Sequence, residues 1–289
     1  MLAVEAQVLS RGGIRTESCR IVSKIQDLQA MDQNSDFGGK PLAYISPEAT
    51  VASDATCFPG CWIGPGVRIS SGVTVAPGAA IGMPSPKCPS GETEIGPNVW
   101  IGPSTHVETG VMIAEGANIG PFNHIRHGVD IGPGAYVGPR CTIMDHARIG
   151  EATNLVAEVY VCEYAELGSH CQISPGVALV NDRYPPTSVD VRGPVIGQCA
   201  ILGVNSVVWP GVKIGYHAML ASLSEARENV DDYVLVRGCP ARPVCDVRQI
   251  RLKHEGQWIY PYPWMRFALP GEDITQPAYR PENKRWGQK

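Results

Sequence analysis

Charge and aromatic side chains are scarce in this chain. Of its 289 residues only 18% are Asp, Glu, Lys or Arg, 7% are Phe, Trp or Tyr, and the formal net charge is -4. No basic face is declared, so neither nucleic acid nor an acidic membrane is expected as a partner. Apolar stretches stay far below the roughly 18 residues needed to span a bilayer. The N-terminus MLAVEAQVLSRGG carries Glu5 inside its short apolar stretch, unlike a secretory signal. The expectation is a soluble, non-exported, cytoplasmic chain. Its 10 cysteines include no Cys-x-x-Cys pair, which fits a reducing compartment better than a disulfide framework.

Turn formers are abundant instead: 32 glycines and 25 prolines. Together they are about a fifth of the chain, against roughly 12% in ordinary globular proteins. Their placement is periodic. From Ile45 the chain reads ISPEAT, VASDAT, CFPGCW, IGPGVR, ISSGVT, VAPGAA, and after Ile95 it reads IGPNVW, IGPSTH, VETGVM, IAEGAN, IGPFNH, IRHGVD, IGPGAY. The hexads run to Leu179 and resume from Ile196 to Leu220. Their first position is Ile, Val or Leu everywhere except Cys57. The fifth is small or β-branched, which accounts for Cys61, Cys141 and Cys171, with Asn123 as the exception. Positions one and five therefore point inward on short strands, and the Pro, Gly and Asn of positions three and four turn corners. Three strands per turn give an 18-residue triangular coil, and stacked coils satisfy one another's backbone groups at about 4.8 Å. The expected fold is all-β: a parallel β-helix solenoid of about nine triangular coils.

Two hexads are overlong, at residues 81–94 and 179–195. Both begin at the same phase of the coil, so both loops leave one edge of the prism, about 24 Å apart. The expected division is a cap segment at 1–44, the solenoid at 45–224 with its two loops, and a closing segment and arm at 225–289. Residues 16–31, TESCRIVSKIQDLQAM, have helical spacing after Thr16 or Ser18 and predict a short N-terminal helix over the first coil. In the extended C-terminal arm, QWIYPYPWMRF alternates prolines with aromatics and has lost the period. It reads as an arm against the prism or an aromatic platform.

An 18-residue offset tells which residues stack. At hexad position three, two corners are mostly proline, whereas the corner that sprouts the loops reads Thr109, His127, Asp145, Glu163, Asn181. From His127 onward these form a ladder on four consecutive coils, with rungs about 4.8 Å apart. The adjoining strands place His106 and His124 on the outer surface, with Glu108, Arg126 and Tyr160. Asp, Asn and Glu are common in turns, and a single such residue carries little. A register of His, Asp, Glu and Asn beneath an inserted loop points to proton transfer, with His127 as base and Asp145 as the carboxylate that orients it.

The hexad pattern resembles that of the left-handed β-helix acyltransferases with hexapeptide repeats, and the left hand is implied by that resemblance. The run His127-Gly-Val-Asp-Ile-Gly is similar to the segment around the general-base histidine of several such enzymes. PFNHI, LVNDRYPPT, IGQCAILGVNSVVWPGVKIG and DDYVLVRGCPARPV, between Pro121 and Val244, resemble the nucleotide-sugar 3-amino N-acetyltransferases. The resemblance implies a homotrimer with active sites between subunits, acetyl-coenzyme A or another acyl-coenzyme A as co-substrate, and no metal. It implies catalytic roles for His127 and Asp145 with His124 next. Asn181, Asp182, Glu163, Arg126 and His106 would meet the acceptor. Gly203, Asn205, Ser206, Ala221, Ser222 and Arg242 would line the coenzyme A channel. Two departures stand out: Pro185-Pro186 replaces the family's Pro-Arg, and Leu223 takes a glycine's place at a corner beside the pantetheine path.

The leading reading is a coenzyme A-dependent N-acetyltransferase acting on an amine of a nucleotide-linked sugar. Others stay open. O-acetylation of another small acceptor uses the same groups. A zinc enzyme like the carbonic anhydrases of this fold needs three converging imidazoles, and the spacing of His106, His124 and His127 does not match that family. A non-catalytic trimeric scaffold predicts degenerate corners, which these are not.

Overall fold

The computed structural model describes residues 43–88, 90–185 and 191–250. It is the parallel solenoid that the hexads predict. Short strands stack into three faces of 10, 9 and 11 strands, with every third strand of the chain in the same face. All pairings are parallel except the last, and partners are one coil apart: Tyr44 beside Trp62, His106 beside His124, His124 beside Thr142. The triangular coil fits a left-handed β-helix. Among the described residues there is no α-helix, only a 3₁₀ turn at Val247–Gln249. None of their helices is long and apolar enough to cross a membrane. The predicted N-terminal helix and most of the C-terminal arm lie outside the described residues.

The solenoid is longer than the nine coils expected. Glu225–Ala226 adds a strand to the first face and Val234–Gly238 to the third, where the aliphatic spacing becomes irregular and the six-residue count no longer detects it. Ala241–Asp246 then pairs antiparallel with Val234–Gly238 and closes the third face.

Packing follows the hexad. First-position Ile45, Ile63, Ile81, Ile101, Ile119, Ile125 and Ile143 are fully buried, and fifth-position Cys61, Cys141 and Cys171 fill the corners between them. No described cysteine is in a disulfide. The fifth-position exception, Asn123, is buried and useful there. Its Oδ1 accepts from Cys141 N (2.7 Å), its Nδ2 donates to Gly120 O (2.8 Å), and its own N–H donates to Thr105 Oγ1 (3.2 Å). A buried amide is tolerated only when bonded in this way.

The corners turn through left-handed backbone at position four. Non-glycine residues occupy it at φ of 57° for Asn98, 58° for His146 and 56° for Leu223, held by rungs to neighbouring coils. Of these, Leu223 is 75% exposed.

Candidate active site on one edge of the prism

The edge after the first face carries both overlong hexads, since Ile81 lies in the strand Ala80–Met83 and Leu179 ends the strand Ala178–Leu179, both of that face. The same edge carries Thr109, His127, Asp145, Glu163 and Asn181, in register as the 18-residue offset predicts.

His127 sits on this ladder with Nδ1 2.8 Å from the carbonyl oxygen of Thr109, one coil below. A carbonyl can only accept, so in the neutral ring the proton is on Nδ1 and the lone pair on Nε2. The ring lies over Gly110: a Cβ there would come within 2.8 Å of His127 Nδ1. His146 repeats the arrangement above Gly128 and meets His127 edge-on, with ring centroids 5.0 Å apart. Tyr164 continues the column, stacked on His146 at 5.5 Å.

Asp145 does not orient His127. It is buried, and its Oδ2 accepts from Lys87 Nζ at 2.7 Å, while Oδ1 lies 3.0 Å from Arg126 Nε. Two cations claim it because a buried carboxylate without partners costs several kcal/mol. The orienting acceptor is the backbone of Thr109. Lys87 also donates to Glu163 Oε1 at 2.9 Å, and these two carboxylates push its ammonium up to about 12. Lys87 comes from the first inserted loop, where the hexad count gives no register. The signal that points to it is that loop's departure from the ladder's own edge.

Glu108 is also placed differently. Strand alternation predicts it on the outer surface, but the register shifts between Val107 and Glu108, where the loop inserts, and its side chain becomes buried. Oε2 accepts the His127 backbone N–H at 3.0 Å, and Oε1 faces His124 Nε2 at 3.3 Å, with Arg126 Nε 3.6 Å away. His106 and His124 are adjacent rungs, centroids 5.0 Å apart. Burial, and then the charge of His124, hold the His106 imidazole below its usual value.

The remaining expected positions fall elsewhere. Asp182 Oδ1 accepts from Tyr184 N at 2.8 Å, an Asx turn within the second loop, and Asn181 O accepts from Arg192 N at 3.0 Å. Gly203, Asn205, Ala221 and Ser222 stack on a different edge, after the third face, where Ser222 Oγ accepts from Val204 N at 3.1 Å and Asn205 is exposed. Ser206 is fully buried and faces the core. Arg242 lies on the closing hairpin, 3.7 Å from Glu228. Within one prism the acid–base ladder and the expected donor-binding corner thus flank opposite edges of the first face, and His127 stands roughly four to five coils, about 17 to 22 Å, from that corner in height.

Residues 92–127 and 113–145 match the family model described as bacterial transferase hexapeptide (six repeats). These coils are similar to bacterial transferase hexapeptide repeats. The match contains Glu108, His124, His127 and Asp145. Similar solved structures include serine acetyltransferase of Neisseria gonorrhoeae, at 25% identity and TM-score 0.30 over 45% of this chain and 41% of that one. Another is the UDP-N-acetylglucosamine acyltransferase of Bacteroides fragilis 9343, at 20% identity and TM-score 0.41 over 70% and 72%. A third is maltose O-acetyltransferase of Clostridium difficile 630, at 18% identity and TM-score 0.32 over 37% and 63%. The chain spans about two fifths of the length of the serine acetyltransferase it matches.

Proposed function

We propose that the protein is an acyl-coenzyme A-dependent acyltransferase, with acetyl as the acyl group and an amine of a nucleotide-linked sugar as acceptor. The observation that carries this reading is His127 within a transferase hexapeptide repeat, its Nδ1–H given to the Thr109 carbonyl so that Nε2 can take a proton. In the step, the acceptor nitrogen attacks the thioester carbonyl carbon and its proton passes to His127 Nε2. The tetrahedral intermediate collapses, the C–S bond breaks, and the thiol of coenzyme A leaves with the proton returned by His127. Glu108 positions His127 through its backbone N–H. Asn181 and Asp182 of the second loop, with Tyr164 beside it, supply polar and stacking contacts for the sugar or base.

A homotrimer completes the site in this reading. The donor corner at Gly203, Asn205, Ala221 and Ser222 is on the wrong edge to serve its own His127, and a neighbouring prism brings one edge against the other. Exposed Leu223 narrows the donor path and favours a short acyl chain. Release of free thiol from acetyl-coenzyme A, followed with nucleotide-linked amino sugars and with hydroxyl-only sugars, tests this. Thiol release with amino sugars and acetyl donor, and little with a decanoyl donor, is the expected result. Release with hydroxyl acceptors alone would replace N- by O-acylation, and no release with either would remove the transferase reading.

A further inference from the structure

The side chains of His106, Glu108 and His124 form a cluster of which proton transfer by His127 uses only Glu108, through the His127 backbone N–H. The geometry points to a binding site for a first-row divalent transition-metal ion, zinc being the type case, held by the two imidazoles and the Glu108 carboxylate. The ligating atoms of all three lie within 4.8 Å of one another, the one such group of three among the described residues.

Each donor is presented by a separate structural device. His106 and His124 are adjacent rungs of the first face, so the ladder itself fixes their rings side by side. The column leaves them room, with Ala80 on one side and Thr142 on the other. The register shift at Val107 turns Glu108 into this column. The His127 backbone N–H holds Oε2, and Oε1 is thereby aimed at His124.

The distances suit a small ion. Zinc bonds of about 2.0–2.1 Å in a tetrahedron put neighbouring donor atoms about 3.3 Å apart. His124 Nε2 and Glu108 Oε1 are already at 3.3 Å. A ring nitrogen of His106 lies within 4.8 Å of both of these atoms. Arg126 is no obstacle, because its Nε is closer to Asp145 (3.0 Å) than to Glu108 (3.6 Å), so its charge is already matched. Two imidazoles with one carboxylate are the donor set of imidazole-preferring ions, and three protein ligands leave a fourth position open. His127 is not part of the group whose donor atoms lie within 4.8 Å of one another. The site departs from the metal-free expectation and is independent of the acyl-transfer reading.

The test uses the full chain without a histidine tag, stripped with a chelator and titrated with zinc(II) by calorimetry and with cobalt(II) by visible absorption. Expected are one ion per chain and cobalt d–d bands of a low-coordinate site. His106→Ala and His124→Ala should each weaken zinc at least about 100-fold, beyond the 10–100-fold cost of an outer-sphere partner. His170→Ala, remote from the cluster, should change nothing. His106 decides between a metal site and a simple His124–Glu108 ion pair, which does not require it. Absence of saturable zinc heat and of cobalt bands, or binding that survives His106→Ala, would overturn the site. Circular dichroism confirms that each variant keeps its β-solenoid. Because no acyl donor is present, the outcome is separate from that of the transferase assay.

Discussion

Replacing His127 with alanine is expected to lower turnover by about 10² to 10⁴-fold, the range for removal of a general base, while leaving the coil intact. The stability part follows from where the ring sits. It projects outside the core, over Gly110, and its loss creates no cavity among the buried aliphatics. Glu108 keeps its bond to the residue 127 backbone N–H whatever the side chain. The activity part follows from the tautomer: no neighbouring rung offers a nitrogen lone pair in the same place. His146 is one coil up and at position four, and the facing nitrogen of His124 is against Glu108. Steady-state thiol release by the two proteins, with melting curves beside it, checks both parts. Near-normal turnover in the variant would move the base to His124.

The largest loss of stability is expected far from the ladder, at Gly138. A Cβ built there would stand 1.6 Å from the backbone oxygen of Val156, and no side-chain rotation can relieve a clash with backbone. The coil cannot slide away, because Gly120 N donates to Val137 O below and Gly138 N to Leu155 O above, at 2.6 and 2.7 Å. Gly138→Ala should therefore cost about 3 kcal/mol or more, at or above the upper end of the usual cost of overpacking, or prevent folding. Gly134 is the matched control. It has φ of 63° and nothing within 4 Å of its virtual Cβ, so Gly134→Ala pays only the left-handed backbone penalty, about 1 kcal/mol. Denaturant unfolding of the two variants separates the effects. Equal losses would mean that the coils are not packed to backbone contact at position two.

The contrast between these glycines is partly legible in the amino-acid sequence, since one stands at hexad position two and the other at position four. Period six also places the buried isoleucines, the corner cysteines and the common edge of both loops, because a solenoid repeats its packing every coil. The same arithmetic stacks His127 on Asp145 and Glu163, and they do share a column. It cannot say what those side chains bond to. Asp145 turns to Lys87 and Arg126, since Lys87 comes from an insertion with no period and burial makes a carboxylate seek cations. Glu108 is hidden for a related reason: one shifted register at Val107 exchanges surface for interior, a consequence of the two-residue alternation of strands. Asn123 breaks the hexad rule and is legible only as an exception, although its side-chain amide bonds the backbone at Gly120, Val137 and Cys141.

Titration calorimetry of the wild-type chain with acetyl-coenzyme A tests the central claim most directly, because binding of the donor requires neither the acceptor nor turnover. The account predicts saturable heat that coenzyme A competes away, with the decanoyl analogue binding more weakly past Leu223. No heat and no competition at millimolar ligand would contradict it and leave these coils as a scaffold.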